Sequence, residues 1–160
     1  MKKFKTMMAM MLALVSMCVA FSSCSSDDDN DTAGGAKEIV GTYTSTLNLT
    51  VMGQSSSYED KTVKVEAVDD NTVKITLPAC DEAMMPLPAL EVPAVKVSGS
   101  NGAYAFTQKN YAGTITVNGE EKKYTVTLNG TLKDNTLTVN YSVQYGKMPA
   151  AMIGKFVCKK

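Results

Sequence analysis

Any chemistry in this chain has to come from carboxylates, thiols, thioethers and phenols. It has no histidine, and every one of its 16 basic residues is lysine. Without imidazole, neither a Ser-His-Asp nor a Cys-His nucleophilic site can be assembled. Histidine-based zinc and non-haem iron sites go with it. Without guanidinium there is no bidentate fork for phosphate, and the chain holds no glycine-lysine phosphate loop. Paired carboxylates remain, at Asp81-Glu82, Asp69-Asp70, Glu59-Asp60 and Glu120-Glu121. Glycoside hydrolysis needs two carboxyl groups flanking one bond at roughly 5–9.5 Å. Adjacent residues on a strand point to opposite faces, so these pairs read as solvated turn charge and the chain as a non-enzyme.

Binding is the chemistry left. Pro78 to Pro93 holds four of the five prolines together with Cys80, Asp81, Glu82, Met84, Met85, Leu87 and Leu90. A loop of this length in a compact domain is often a lid or a binding loop, and methionines adapt to varied apolar partners. Met148 and Met152, beside Pro149, are expected at the same end. Tyr104 and Tyr141 could line a cavity with their hydroxyls inward. The candidate ligand contacts are therefore Met84, Met85, Leu87, Leu90, Tyr104, Tyr141 and Met148. The same residues would equally serve as a plug and as core.

Two metal readings are weaker. Met84, Met85 and Cys80 have the softness for copper(I), without a spacing that demands it. Asp27, Asp29, Asp31 and Glu38 match the first, third, fifth and twelfth positions of a calcium loop. The sixth, which needs glycine, is Thr32, so the stretch reads as a solvated linker. No metal site and no cofactor is expected.

The elements that must carry these residues follow a period of two. Tyr43, Leu47, Leu49 and Val51 alternate with polar residues, as do Val63, Val65 and Ala67, then Val73, Ile75 and Leu77. The series runs on through Val95 and Val97, Tyr104 and Phe106, Ile115 and Val117, and Tyr124, Val126 and Leu128. It ends with Leu137 to Tyr145 and Met152 to Cys158. Strict alternation marks antiparallel strands with one wet and one buried face. Asn118-Gly119 is a strong hairpin signal, Asn101-Gly102, Asp69-Asp70-Asn71 and Lys133-Asp134-Asn135 mark further turns, and Gly130 predicts a bulge or tight coil. About eight to nine strands in sequence predict an all-β, antiparallel up-and-down meander closed into a barrel, which removes exposed edges.

The front of the chain reads as an address. Lys2, Lys3 and Lys5 precede an apolar run from Met7 to Phe21 of about 15 residues, short of the ~20 that span a bilayer. Phe21-Ser22-Ser23-Cys24 resembles a bacterial lipobox, and the acidic run Asp27-Asp28-Asp29 resembles the surface-export signal of lipoproteins in Bacteroidota. The resemblance implies a signal peptide over 1–23, acylation of Cys24 and a tether over 24–36. A single domain follows over 37–160, held to the outer membrane by palmitate-type chains and facing the cell surface, with the periplasmic face as alternative. The 16 lysines balance 16 acids. Removing the three leader lysines leaves a mildly acidic chain, which argues against nucleic acid. Cys80 and Cys158 remain as an exported pair that could form a disulfide or stay as buried thiols.

Val40-Gly41-Thr42-Tyr43, Leu77-Pro78 with Met84-Met85-Pro86-Leu87-Pro88, and Tyr145-Gly146-Lys147-Met148-Pro149 together resemble the calycin-like, or lipocalin-like, β-barrel domains. Lipocalins proper open with Gly-x-Trp and close that end with an arginine; Tyr43 takes the tryptophan's place here, and Lys155 is the nearest cation. The resemblance implies a module for a small, partly apolar ligand at the barrel mouth. The alternative is a structural or interaction subunit of an outer-membrane protein or glycan-handling assembly.

Overall fold

The computed structural model describes residues 35–83 and 85–160. The signal, Cys24 and the acidic run lie outside the described residues, as does Met84. A five-residue helix, α1 (Gly35–Ile39), leads into β1 (Gly41–Val51), β2 (Gln54–Asp69), β3 (Thr72–Leu77) and β4 (Leu90–Ser100). The chain continues through β5 (Ala103–Val117), β6 (Glu120–Lys133), β7 (Thr136–Tyr145) and β8 (Met152–Lys159). Every strand pairs antiparallel with its neighbour in sequence, and β8 returns to β1 to close the barrel. The expected meander is therefore present, with eight strands.

The tight turns follow from residues that tolerate a left-handed backbone. Asn118 and Gly119 have φ of 52° and 82°, both positive as a two-residue hairpin of matching twist requires. Met52-Gly53, Asn101-Gly102 and Asp134-Asn135 share that form. At β2–β3, the Asp69 carboxylate accepts the Asn71 backbone N–H at 2.8 Å instead.

Side chains on alternate positions fill the interior. Leu47, Val63, Ile75, Leu128, Val139 and Phe156 are fully buried, one layer against the next. Register shifts interrupt the alternation at Ser45/Leu47, at Val73/Ile75 opposite Pro93, and at Gln108/Tyr111. A bulge is where proline, lacking a donor, can sit in a sheet. Ala67, expected inward after Val65, keeps that register opposite Val73 but lies near the end of β2, where it is exposed.

Gly130 carries no bulge. It pairs directly with Phe106, whose ring lies over it so closely that a Cβ would come within 2.3 Å of Cζ. Tyr124 covers Gly113 and Tyr141 covers Gly154 in the same way, each opposite its glycine in the ladder. A ring folded across a glycine restores the contacts that the missing side chain forfeits. The outer wall is polar, with cross-strand pairs Thr44–Thr62 at 2.9 Å, Thr50–Ser55 at 2.6 Å and Ser57–Asn48 at 2.6 Å.

The barrel has two distinct ends. At the first, α1 lies across the opening. Ala36 N donates to Asp70 O at 3.1 Å, and the Tyr43 hydroxyl donates to Ile39 O at 2.8 Å. Gly35 and Ala36 are already buried, so packing begins two residues before the expected start at Lys37. Five residues are too few to show a helical stripe, which is why the alternation gave no sign of α1. Tyr43 thus closes this end without an arginine, while Lys155 faces solvent on the outer wall.

The second end carries the turns Met52-Gly53 and Asn118-Gly119, the β7–β8 loop and the long β3–β4 loop. Cys80 sits in that long loop, whereas Cys158 is at the far end of β8, its thiol donating to Thr44 O at 3.4 Å. The two thiols are free and buried at opposite ends of the barrel. That separation corrects the disulfide alternative, since a bridge needs Cα atoms within about 7 Å.

Candidate functional site

The second end is built around the β3–β4 loop, which turns back into the barrel as a short hairpin. Cys80 N donates to Leu87 O at 2.7 Å and Leu87 N to Cys80 O at 3.1 Å. Cys80 and Leu87 are fully buried and Ala83 nearly so, so the loop plugs the opening with its own side chains. One flank of the plug is held by charge. Lys61 Nζ donates to both Glu82 oxygens, at 2.8 and 2.7 Å. Lys61 follows the inward alternation of Val63 and Val65, and its side chain is 14% exposed against 60% for Glu82. The carboxylate holds the Lys61 ammonium above its ordinary pKa, and the ammonium holds Glu82 below the usual carboxylate range. Burial pushes the Cys80 thiol up.

The other flank is apolar and open. Met85 and Pro86 from the plug face Tyr145 at the end of β7 and Met148 of the β7–β8 loop across a depression of about 350 Å³. An adjoining hollow of about 540 Å³ is lined by Glu120, Glu121 and Lys123. Both share Lys122, Gly146 and Lys147. The loop is shaped locally: Gly146 adopts φ 59°, its N–H donates to Lys123 O at 2.8 Å, and the Gln144 amide donates to Met148 O. Lys122 is 3.8 Å from Glu120, a loose pair. Among the described residues, Lys123 and Lys147 have no ion pair. The result is a methionine floor under a lysine-rich rim, suited to a molecule with an apolar body and negative charge.

The structure divides the candidate residues. Met85 and Met148 meet at this rim, as expected. Leu87 and Leu90 are fully buried in the core and Tyr141 is 2% exposed, so none of the three reaches a ligand in this arrangement. Tyr104 is at the opposite end, where its ring lies against Gly35 of α1. Period two reveals which face a residue takes and not which end of the barrel it occupies. Met152 is core, and Met84 lies outside the described residues. Lys61, Lys122 and Lys147 were not among the candidates. For Lys61 and Lys122 the signal was present, because each shares the alternation of buried residues two positions on.

Two further features flank the site. The β4–β5 ladder joins only Lys96–Ser100 to Ala103–Thr107. Beyond it, the Tyr124 hydroxyl bridges to Glu91 O at 2.7 Å beside a hollow of about 250 Å³ that Ile115 and Ala89 help to line. Inside the barrel, the buried Tyr141 hydroxyl has no hydrogen-bond partner among the described residues. Burial pushes its pKa well up, and Cys80 is near enough to add to the shift.

No curated protein matches the chain. Its fold is similar to a crystal structure from Bacteroides fragilis, provisionally described as an outer membrane protein, with a TM-score of 0.64 at 23% identity. The alignment covers 80% of this chain and 53% of the other, so the chain spans about half that neighbour's length. The model of the calycin-like β-barrel domain matches residues 39–159, the whole barrel from the last residue of α1 to the end of β8. The chain belongs to the calycin-like β-barrel domain family.

Proposed function

We propose that this protein is a lipid-anchored, extracytoplasmic binding module, without catalysis, that takes a small, partly apolar ligand at the rim between the plug and the β7–β8 loop. The observation that carries it is the pair of adjoining hollows sharing Lys122, Gly146 and Lys147 over Met85 and Met148. The lysines suit a negatively charged group and the thioethers suit an apolar one. The outer wall of Thr, Asn, Ser and Lys differs from the apolar band of a membrane-spanning barrel, which supports a domain held beside the bilayer. The lipobox-like segment ending in Cys24 supports the anchor, and the provisional description of the solved neighbour supports the outer membrane as its place, with the cell surface as the face.

A second reading has its own observation. The interior is filled, with no deep cup among the described residues, and this favours an interaction subunit of an outer-membrane protein or glycan-handling assembly. Native mass spectrometry of the protein purified gently from its own envelope separates the two. A stoichiometric small-molecule adduct, lost in a Lys122→Glu/Lys147→Glu variant, supports the rim. A clean mass with a co-purifying protein supports the subunit.

A further inference from the structure

The seam between β4 and β5 is laddered at one end and open at the other. Its pairing runs from Ser100–Ala103 to Lys96–Thr107 and stops. A bulge on each strand follows. On β4 the register shifts at Pro93, a residue with no N–H to give. On β5, Asn110 turns to φ 48°, and the Thr127 hydroxyl of β6 holds it there. That hydroxyl accepts the Asn110 N–H at 3.0 Å and donates to its side-chain oxygen at 3.2 Å. The bulge decides which backbone groups of β5 face the seam. The two-residue turn Asn118-Gly119 makes Val117 and Glu120 a hydrogen-bonded pair, so Ile115, Gly113 and Tyr111 also bond to β6. The N–H and C=O groups of Ala112, Thr114 and Thr116 therefore point into the seam. Among the described residues no backbone partner meets them there.

Proteins guard free strand edges with charge, proline or bulges. The β4 side of the seam has Glu91 and Pro93, and the free start of β2 has Glu59, Asp60 and Lys61. Tyr111 to Val117 has neither charge nor proline. Its inward Tyr111 and Ile115 pack on the core, and its outward Ala112, Thr114 and Thr116 are small and neutral. Beside this edge lies the hollow of about 250 Å³ between Ala89 and Ile115, with Glu91 on its border. Glu91 is 59% exposed and has the longer arm of Lys74, at 3.5 Å against 2.9 Å to Glu66.

We propose that the β5 edge from Ala112 to Thr116 is a docking strand, to which an extended segment of a partner protein adds by main-chain hydrogen bonds. In such additions the main chain supplies affinity and pockets for alternate side chains supply specificity. Here the hollow takes an aliphatic side chain, the uncharged edge suits neutral neighbours, and Glu91 suits one basic residue. A second copy of this chain fits less well, because its β5 would bring a barrel wall against Ala89 and Glu91. The surface is separate from the rim and stands whether or not the rim holds a small molecule.

Two readouts on the full chain test this: amide hydrogen exchange of β5, and binding of the peptide acetyl-Lys-Thr-Val-Thr-Leu-Thr-Val-Ser-amide. Alone, the protein should exchange the Ala112, Thr114 and Thr116 amides fast while those of Tyr111, Gly113 and Ile115 stay protected. The peptide should bind saturably and slow the first set about tenfold. Two further peptides carry N-methyl groups on either the apolar or the threonine amides, and one of them should lose about tenfold in affinity. Thr114→Pro removes one seam-facing N–H and leaves the β5–β6 ladder whole, so it should cost a similar factor. Thr114→Ala keeps that N–H and should bind like the parent. Should Thr114→Pro fail to fold, the N-methylated peptides decide alone. Glu91→Gln should weaken binding about twofold, as an exposed charge contact allows. Lys122→Glu/Lys147→Glu should leave it unchanged, and a loss there would move the peptide to the rim and overturn the proposal. Slow exchange at Ala112, Thr114 and Thr116 in the protein alone would overturn it too. So would absent peptide binding, or equal affinity for all three peptides. A concentration-dependent dimer that Thr114→Pro abolishes would give the edge to a second copy and overturn the partner segment.

Discussion

The two ends of this barrel are closed by different physics. At the α1 end, the seal is backbone hydrogen bonding and fully buried apolar surface: Ala36 to Asp70, Tyr43 to Ile39, and Ile39 at zero exposure. At the plug end, the seal is a six-residue tip pinned by a two-bond bridge and a charge pair. Its neighbours are methionines and a β7–β8 loop edged by lysines. The first arrangement loses stability whenever it opens. The second rests in part on a charge pair whose carboxylate is 60% exposed, a contact that water can replace.

Five substitutions and one change of pH would break or sharpen that contrast. The largest effect is expected at Ile39→Ala, about 3 kcal/mol by chemical denaturation, since large-to-small changes in a core that cannot collapse cost 2–5. Leu87→Ala, equally buried, should cost about half as much because the plug can resettle. Equal losses would make the plug as integral as the cap. Next come two tyrosines with opposite expectations. Tyr43→Phe strands the buried Ile39 carbonyl and should cost about 1–2 kcal/mol, whereas Tyr141→Phe removes an orphaned hydroxyl and should be neutral or stabilising by up to about 1 kcal/mol. A clear loss at Tyr141 would show that its hydroxyl has a partner.

Alkaline pH probes the same groups together. Burial raises the pKa of Tyr43, Tyr124 and Tyr141 above the ordinary tyrosine value. Their contribution is therefore fully present below about pH 10 and lost progressively as pH rises from there through their raised folded values, because the unfolded chain releases those protons first. The denaturation midpoint should fall above that pH, and less steeply in Tyr141→Phe. The smallest effect is expected at the exposed Lys37–Asp70 pair of the α1 end, 3.2 Å apart with both side chains about 70% exposed. Lys37→Ala should leave the midpoint unmoved, and a sizeable drop would mean that charge holds this end as well.

Much of the fold was legible because alternation and turn chemistry are local. Asn118-Gly119 turns as its residues dictate, and the inward set from Leu137 to Tyr145 is the one observed. What was hidden depends on relations across the barrel. The distance between Cys80 and Cys158 follows from which way each strand runs. Tyr104 was grouped with residues of the other end for the same reason. The long proline-rich loop stood out plainly, yet nothing in Leu87 or Leu90 distinguishes a ligand contact from a plug. Lys61 was overlooked because a lysine beside Glu59 and Asp60 looks solvated, although its spacing from Val63 and Val65 already put it on the inner face.

The three ring-over-glycine pairs have a consequence for how the barrel forms. A strand slipped by two residues keeps its inward face, so alternation alone does not reject it. Such a slip would set Tyr141 against Met152 or Phe156 in place of Gly154, and Phe106 against Leu128 or Leu132 in place of Gly130. Tyr124 would meet Tyr111 or Ile115 instead of Gly113. Each ring, as it lies, would meet a Cβ on the opposite residue at 2.5 Å or less, so these pairs act as steric pins in the β5–β6 and β7–β8 hairpins. Those hairpins join near neighbours in sequence, which close early. Misaligned chains would be rejected there before the last ladder, between β8 and β1, is made.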